Sequence, residues 1–315
     1  MNSIIQCLSN TKPLRDYFIS GKYKSDLKKR SGVATAFGEV ISTIWSQSSS
    51  STSPASLKRQ IESVAPQFSG YRQHDSQELL LALLDGIHED LNHCNRSAHK
   101  YVDTSKMPLE KQATVSWEQY CLRDYSKLVE IFVGQIVSTL TCLTCNEVST
   151  VFEYFWDLSV PVASSVDSCL SQFTKSETLD GDERPSCDNC KTRRKMTKQY
   201  RLWRLPQILI IHLKRFKGGG RIRSKDSTNV KLDLNLSVSP YLHQKVSSVL
   251  GSQKSSYSLY AVSNHSGGTG GGHYTASGRH DITGEWRYFN DSSVNSISSS
   301  NVQTSDAYVL FYTRG

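Results

Sequence analysis

Four of the eight cysteines in this 315-residue sequence fall in two pairs, Cys142-Leu-Thr-Cys145 and Cys187-Asp-Asn-Cys190. Two residues between thiols is the spacing of a knuckle that turns both sulfurs onto one ion, and zinc favours four such ligands in a closed tetrahedral shell. With 41 residues between the pairs, an ion would clip together two distant β-hairpins and add to folding stability by closing a long loop. A closed shell leaves no position for substrate, so the expected role is structural. A redox pair or plain buried cysteines would account for a single CxxC; two of them favour Zn²⁺ on Cys142, Cys145, Cys187 and Cys190. Cys7, Cys94, Cys121 and Cys169 stand alone. Without a secretion signal, no disulfide framework is expected.

The second chemical stretch is NHSGGTGGGHYTA, in which Gly270, Gly271 and Gly272 run directly into His273. Glycine tolerates positive φ and lets backbone approach a ligand closely, so an imidazole there stands beside a narrow channel. Seventeen positions later, in WRYFNDSS, Asn290 or Asp291 ends an aromatic-rich strand pattern. A side-chain oxygen there can accept the second ring proton of His273 and fix its tautomer. That is the orienting member of a Cys–His–Asn triad. Taken separately, the histidine reads as a loop residue and Asn-Asp as a turn.

Such residues must be held by a scaffold, and the first third of the chain reads as helical. Ile4, Ile5 and Leu8 have the spacing of a buried helical stripe, with Asn2 or Ser3 as its cap. The tract from Ser46 to Ser53 reads as a flexible loop, and Ser53-Pro54 as an N-cap followed by proline at the first helical position. In HDSQELLLALLDGIHEDLNH, Asp75 caps and Glu78 completes a capping box. Leu79, Leu80, Leu83, Leu84, Ile87 and Leu91 then form one apolar face. Residues 93 to 115 read as a polar, irregular loop. From about Phe132 short runs rich in Val, Thr, Phe and Tyr indicate strands, and QILIIHLKRF reads as a buried central strand. Helices first and strands later predict an α+β fold.

The formal net charge of +8 raises nucleic acid as a partner. The basic clusters are Lys191, Arg193, Arg194, Lys195 and Lys198, then Lys214, Arg215, Lys217, Arg221, Arg223 and Lys225. Neither alternates with the aromatic platforms of single-strand binders, so solvated basic surface is expected and no nucleic-acid partner. No apolar run approaches eighteen residues and the start lacks a signal-peptide layout. The expectation is a soluble intracellular chain without membrane insertion, cytoplasmic and also nuclear.

In combination, MNSIIQCLSNT, GYRQHDSQELL, CLTC, LPQILIIHLKRF, GGGHYTA and FNDSSV resemble, in that order and along the whole chain, the catalytic domain of the ubiquitin-specific proteases. The resemblance implies a papain-like cysteine protease fold with thumb, palm and zinc-stapled fingers. Residues 1–315 would form a single catalytic-type domain: thumb at about 1–131, fingers with the zinc site at about 132–205, and palm carrying His273 and Asn290 at about 206–315. It implies hydrolysis of isopeptide or peptide bonds after the C-terminal glycine of ubiquitin, with ubiquitin and ubiquitinated proteins as partners. His273 would be the base and Asn290 its orienting partner, with Asp291 as alternative or auxiliary. Asp75 and Glu78 would grip ubiquitin's basic tail, and Tyr274 with the glycine run would line a slot for its Gly-Gly end. His74 replaces a glutamine of the family's Gln-Gln-Asp box. The family's nucleophile box reads Gly-Asn-Thr-Cys-Tyr/Phe before Met-Asn-Ser, which Met1, Asn2 and Ser3 match. The nucleophilic cysteine is therefore expected two residues ahead of Met1, in an N-terminally truncated chain. Cys7 lies within the first helix, about two turns from where that thiol is expected, and a packing role is expected for it. The alternative is an inactive ubiquitin-binding pseudoenzyme.

Overall fold

The opening stripe folds as α1 (Asn2–Ser9) and buries Ile4, Ile5 and Leu8. Neither Asn2 nor Ser3 caps it: Met1 holds the N-cap position, and no side chain bonds the free backbone N–H groups. The computed structural model describes residues 1–29, 32–46, 51–70, 72–94, 102–217, 224–249, 255–268 and 271–315. After α1 come α2 (Lys12–Ile19), α3 (Val33–Trp45), α4 (Ala55–Val64), α5 (Ser76–Leu91), α6 (Leu109–Arg123) and α7 (Lys127–Phe132). α5 buries its whole predicted face, Leu79 to Leu91. Asp75 caps it, its Oδ1 accepting from the backbone N–H of Gln77 at 2.7 Å and of Glu78 at 3.4 Å.

Two boundaries differ from the sequence reading. α4 is capped by Pro54, one residue past the expected Ser53; residues 47–50 of the preceding tract lie outside the described residues. α6 begins at Leu109, inside the stretch read as loop. Only Gln112, Ala113 and Tyr120 of that helix are buried, too sparse a stripe for an apolar period to reveal it.

The strands follow. β1 (Gly134–Cys142), β2 (Val148–Phe155) and β3 (Leu158–Val160) precede α8 (Val166–Phe173); then come β4 (Glu177–Leu179), β5 (Ser186–Cys187), β6 (Thr192–Arg193) and β7 (Met196–Arg204). An antiparallel sheet runs β2-β1-β7-β4, and β5 with β6 forms a separate hairpin. β8 (Ile208–Leu213), β9 (Phe216–Lys217), β10 (Ser224–Lys225) and β11 (Asn235–Ser237) precede α9 (Gln244–Val249). The chain ends in β12 (Ser256–Gly268), β13 (Gly271–Arg279), β14 (Trp286–Asn290), β15 (Ser293–Ile297) and β16 (Ala307–Arg314). The larger sheet has the order β15-β14-β13-β12-β16-β8-β3, with β11 on β12. β3 pairs parallel to β8, so part of the span read as fingers joins the larger sheet.

β8 explains why the core has two sides. Ile208 and Ile210 join the cluster built from α1 to α5, whereas Leu209 and Ile211 join the opposite cluster with Val166 and Leu170 of α8. Successive side chains in a strand point to opposite faces, and a strand covered on both faces reads as a continuous apolar run. The helical lobe is tied to the sheet at the turn after β13. There Arg15 of α2, 6% exposed, donates to both carboxylate oxygens of Asp281 at 2.9 and 2.7 Å. Its guanidinium lies 4.1 Å from the ring centroid of Trp45.

Candidate active site

His273 lies near the start of β13 and Asn290 at the end of β14, so the hairpin brings together residues seventeen positions apart. His273 Nε2 is 2.7 Å from Asn290 Oδ1. With the amide oxygen as acceptor, Nε2 carries the proton and Nδ1 keeps a free lone pair, the form a base needs. Asp291 is the weaker partner: its Oδ2 is 3.9 Å from Nε2 and its side chain is 76% exposed. It sits in the turn that pairs Asn290 with Ser293, at φ 50°, a left-handed conformation that aspartate adopts more readily than most residues.

Two clefts meet at this hairpin. One is lined by Asn2, Ser3, Gln6, Tyr274, Phe289 and Asp291, so the start of α1 and the histidine hairpin border one space. The other is lined by Met1, Gln73, His74, Ser76, Leu79 and Tyr274. Tyr274 borders both, and its hydroxyl accepts from the N–H of Ser76 at 3.4 Å. Burial, with Asp75 nearby, pushes that hydroxyl up to about 12. Asp75 is half-buried and Glu78 exposed, both at the start of α5.

The sequence reading missed Gln73, although it lies in the same box as Asp75. Its side-chain amide donates to Gly272 O at 3.1 Å and accepts from Gly272 N–H at 3.0 Å, bridging the helical lobe to β13. At Gly272 a Cβ would lie 2.1 Å from His265 Nε2 and 2.5 Å from Ser266 O, so a side chain has no room there. Gly270 lies outside the described residues. Also missed was Tyr308, whose hydroxyl donates to Asp75 Oδ2 at 2.5 Å; nothing in a run of strand aromatics signals that bond. Cys7 is fully buried inside α1. Burial pushes its thiol up, the opposite of what a nucleophile requires.

The two CxxC pairs converge. All four sulfurs lie within 4.8 Å of one another, and Cys145 Sγ is 3.6 Å from Cys187 Sγ. That is too long for a disulfide and close to the ~3.8 Å edge of a tetrahedron with ~2.3 Å zinc–sulfur bonds. The two knuckles share one backbone shape. Asn146 N–H bonds Cys142 O at 2.9 Å and Lys191 N–H bonds Cys187 O at 2.8 Å. The residue after each pair is left-handed, at φ 60° for Asn146 and 56° for Lys191. Hydrogen bonding, first from the Asn189 side chain, lowers the Cys145 thiol to about 6. The neighbouring sulfurs, Cys145 first, push Cys190 up to about 12. Four sulfurs this close share charge well only around a cation, so the donor set fits a metal ion.

The family model described as ubiquitin carboxyl-terminal hydrolase matches residues 1–312. Ubiquitin carboxyl-terminal hydrolase 2 of Rattus norvegicus is 44% identical over 325 residues, covering 99% of this chain and 52% of the relative. The Homo sapiens protein of the same name is also 44% identical, covering 99% of this chain and 53% of the relative. The chain therefore spans about half the length of these curated relatives. Among solved structures, a SAGA DUB module of Ubp8, Sgf11, Sus1 and Sgf73 bound to monoubiquitin matches at 25% identity and TM-score 0.78. That match covers 100% of this chain and 66% of the other.

Proposed function

The chain belongs to the ubiquitin carboxyl-terminal hydrolase family, and we propose that it is the catalytic part of a deubiquitinase acting on bonds at the C-terminal glycine of ubiquitin. The attacking thiol, on the family's box, stands two residues ahead of Met1, at the positive end of α1. There the helix dipole and a neighbouring imidazole favour the thiolate. Nδ1 of His273 takes the thiol proton, sulfur bonds the carbonyl carbon, and the carbonyl oxygen takes up negative charge. As the C–N bond breaks, the same proton passes to the leaving amine. Water, deprotonated by His273, then attacks the thioester and releases ubiquitin's carboxylate and the thiol. Asn290 keeps the ring in the productive tautomer throughout. The observation that carries this reading is the 2.7 Å contact between His273 and Asn290, on a hairpin whose Tyr274, Phe289 and Asp291 share a cleft with Asn2 and Ser3 of α1.

Asp75 and Glu78 receive the basic tail of ubiquitin, and Tyr274 with Gly271 and Gly272 lines the slot for its last residues. Cys142, Cys145, Cys187 and Cys190 hold one structural Zn²⁺. The ion supplies a cross-link between hairpins and takes no part in the reaction. The 315 residues alone support a narrower reading, a chain that holds ubiquitin without cutting it, because Cys7 is buried and its thiol pushed up. Hydrolysis of ubiquitin-aminomethylcoumarin separates the two. The chain beginning at Met1 is expected to be silent, and a Gly-Asn-Thr-Cys-Tyr leader ahead of Met1 to confer turnover that His273→Ala abolishes. Turnover by the leaderless chain, or none with the leader, would refute the assignment.

A further inference from the structure

Tyr308 stands on β16 with its ring 1% exposed. His212 packs edge-on to it at 4.9 Å and Phe216 at 5.6 Å between centroids, so the hydroxyl has a fixed direction. Asp75 Oδ1 is taken by the backbone N–H groups of Gln77 and Glu78. The cap already restrains the carboxylate, though loosely on the side of the 3.4 Å bond; the bond from Tyr308 to Oδ2 holds the second oxygen and narrows the remaining play of the plane. Each carboxylate oxygen has about two lone pairs; the two cap bonds occupy those of Oδ1, and Tyr308 leaves Oδ2 one with which to accept a charge-assisted bond from a guanidinium. Fixing that plane in advance spares the ordering cost at binding.

We propose that Tyr308 is a positioning residue that orients the Asp75 carboxylate to read an arginine-bearing peptide tail passing the start of α5. The inference rests on Asp75 being a tail-gripping residue and adds what makes it selective. Burial and the adjacent Asp75 charge raise the Tyr308 hydroxyl far above its ordinary range, so it stays a donor at working pH. The second tyrosine at the same helix start, Tyr274, meets the Ser76 backbone and not the carboxylate.

The test is titration calorimetry of the 315-residue chain with ubiquitin and with a ubiquitin whose basic tail side chains are changed to alanine. It is run for the parent chain, Tyr308→Phe, Asp75→Asn and the double variant, with melting temperatures recorded for each. Tyr308→Phe keeps the ring and its packing. It is expected to weaken ubiquitin binding about fivefold, the worth of one hydrogen bond. It is expected to change binding of the tail-alanine ubiquitin less than about twofold and to add nothing to Asp75→Asn. Equal weakening toward both ubiquitins, or none, would overturn the inference while leaving the functional reading intact. A parent chain that binds neither ubiquitin would overturn both.

Discussion

Replacing Asn290 by alanine in the leader-extended chain removes the acceptor at 2.7 Å from His273 Nε2 and leaves the ring packing alone. A hydrogen bond to a group that becomes charged is worth about 1.5–3 kcal/mol. The His273 side chain is 48% exposed, so water can replace part of the lost bond and the lower end applies. About 1.5 kcal/mol corresponds to roughly a tenfold slower reaction. The loss should fall on kcat, because Asn290 acts on the imidazole and not on bound ubiquitin. Asn290→Asp, which keeps an acceptor, should retain most activity. Asp291→Ala should change turnover less than about twofold, since Asp291 lies 3.9 Å away and is largely solvated. The assay is steady-state hydrolysis of ubiquitin-aminomethylcoumarin, with kcat and KM separated. An Asn290→Ala rate equal to the parent's, or a larger loss from Asp291→Ala, would refute the orienting role.

Metal analysis should find one zinc per chain. Cys187→Ser or a strong chelator should lower the melting temperature, because among the described residues the apolar cluster at the knuckles buries only Cys142, Cys187 and Met196. Closing a loop of this length contributes at most about 4 kcal/mol, and unchanged melting would remove the metal from the fold. Gly272→Ala should cost about 1–3 kcal/mol by overpacking against His265 and the Ser266 carbonyl, read as a fall in melting temperature. The hydrogen bonds and charge of Arg15 hold the Asp281 carboxyl below its ordinary 3.8. The stability this pair adds is therefore present above pH 3.8 and lost as pH falls through the lower, folded-state value. Asp281→Asn should flatten that acid limb in a pH series of melting curves; an unchanged limb would contradict the linkage.

What could be read in advance was local or periodic. The face of α5 follows from its apolar spacing, the knuckles from two-residue gaps between cysteines, and β8 from an apolar run too short for a helix. Asn290 and Asp291 could not be separated in the sequence, because both offer an oxygen at nearly the same place. In the hairpin β14 ends at Asn290, whose Oδ1 lies nearer to His273, and Asp291 turns left-handed. α6 escaped because it buries so little of itself. The bonds from Tyr308 to Asp75, from Gln73 to Gly272 and from Arg15 to Asp281 span 199 to 266 positions. No short window holds both partners of any of them.

The most direct measurement is intact-mass analysis after reaction with a ubiquitin bearing a thiol-reactive C-terminal electrophile. The leader-extended chain should gain one ubiquitin on the leader cysteine, and the chain starting at Met1 should gain none while still binding ubiquitin. A ubiquitin adduct on Cys7, or on any cysteine of the 315 residues, would contradict the placement of the reacting sulfur opposite His273 at the start of α1.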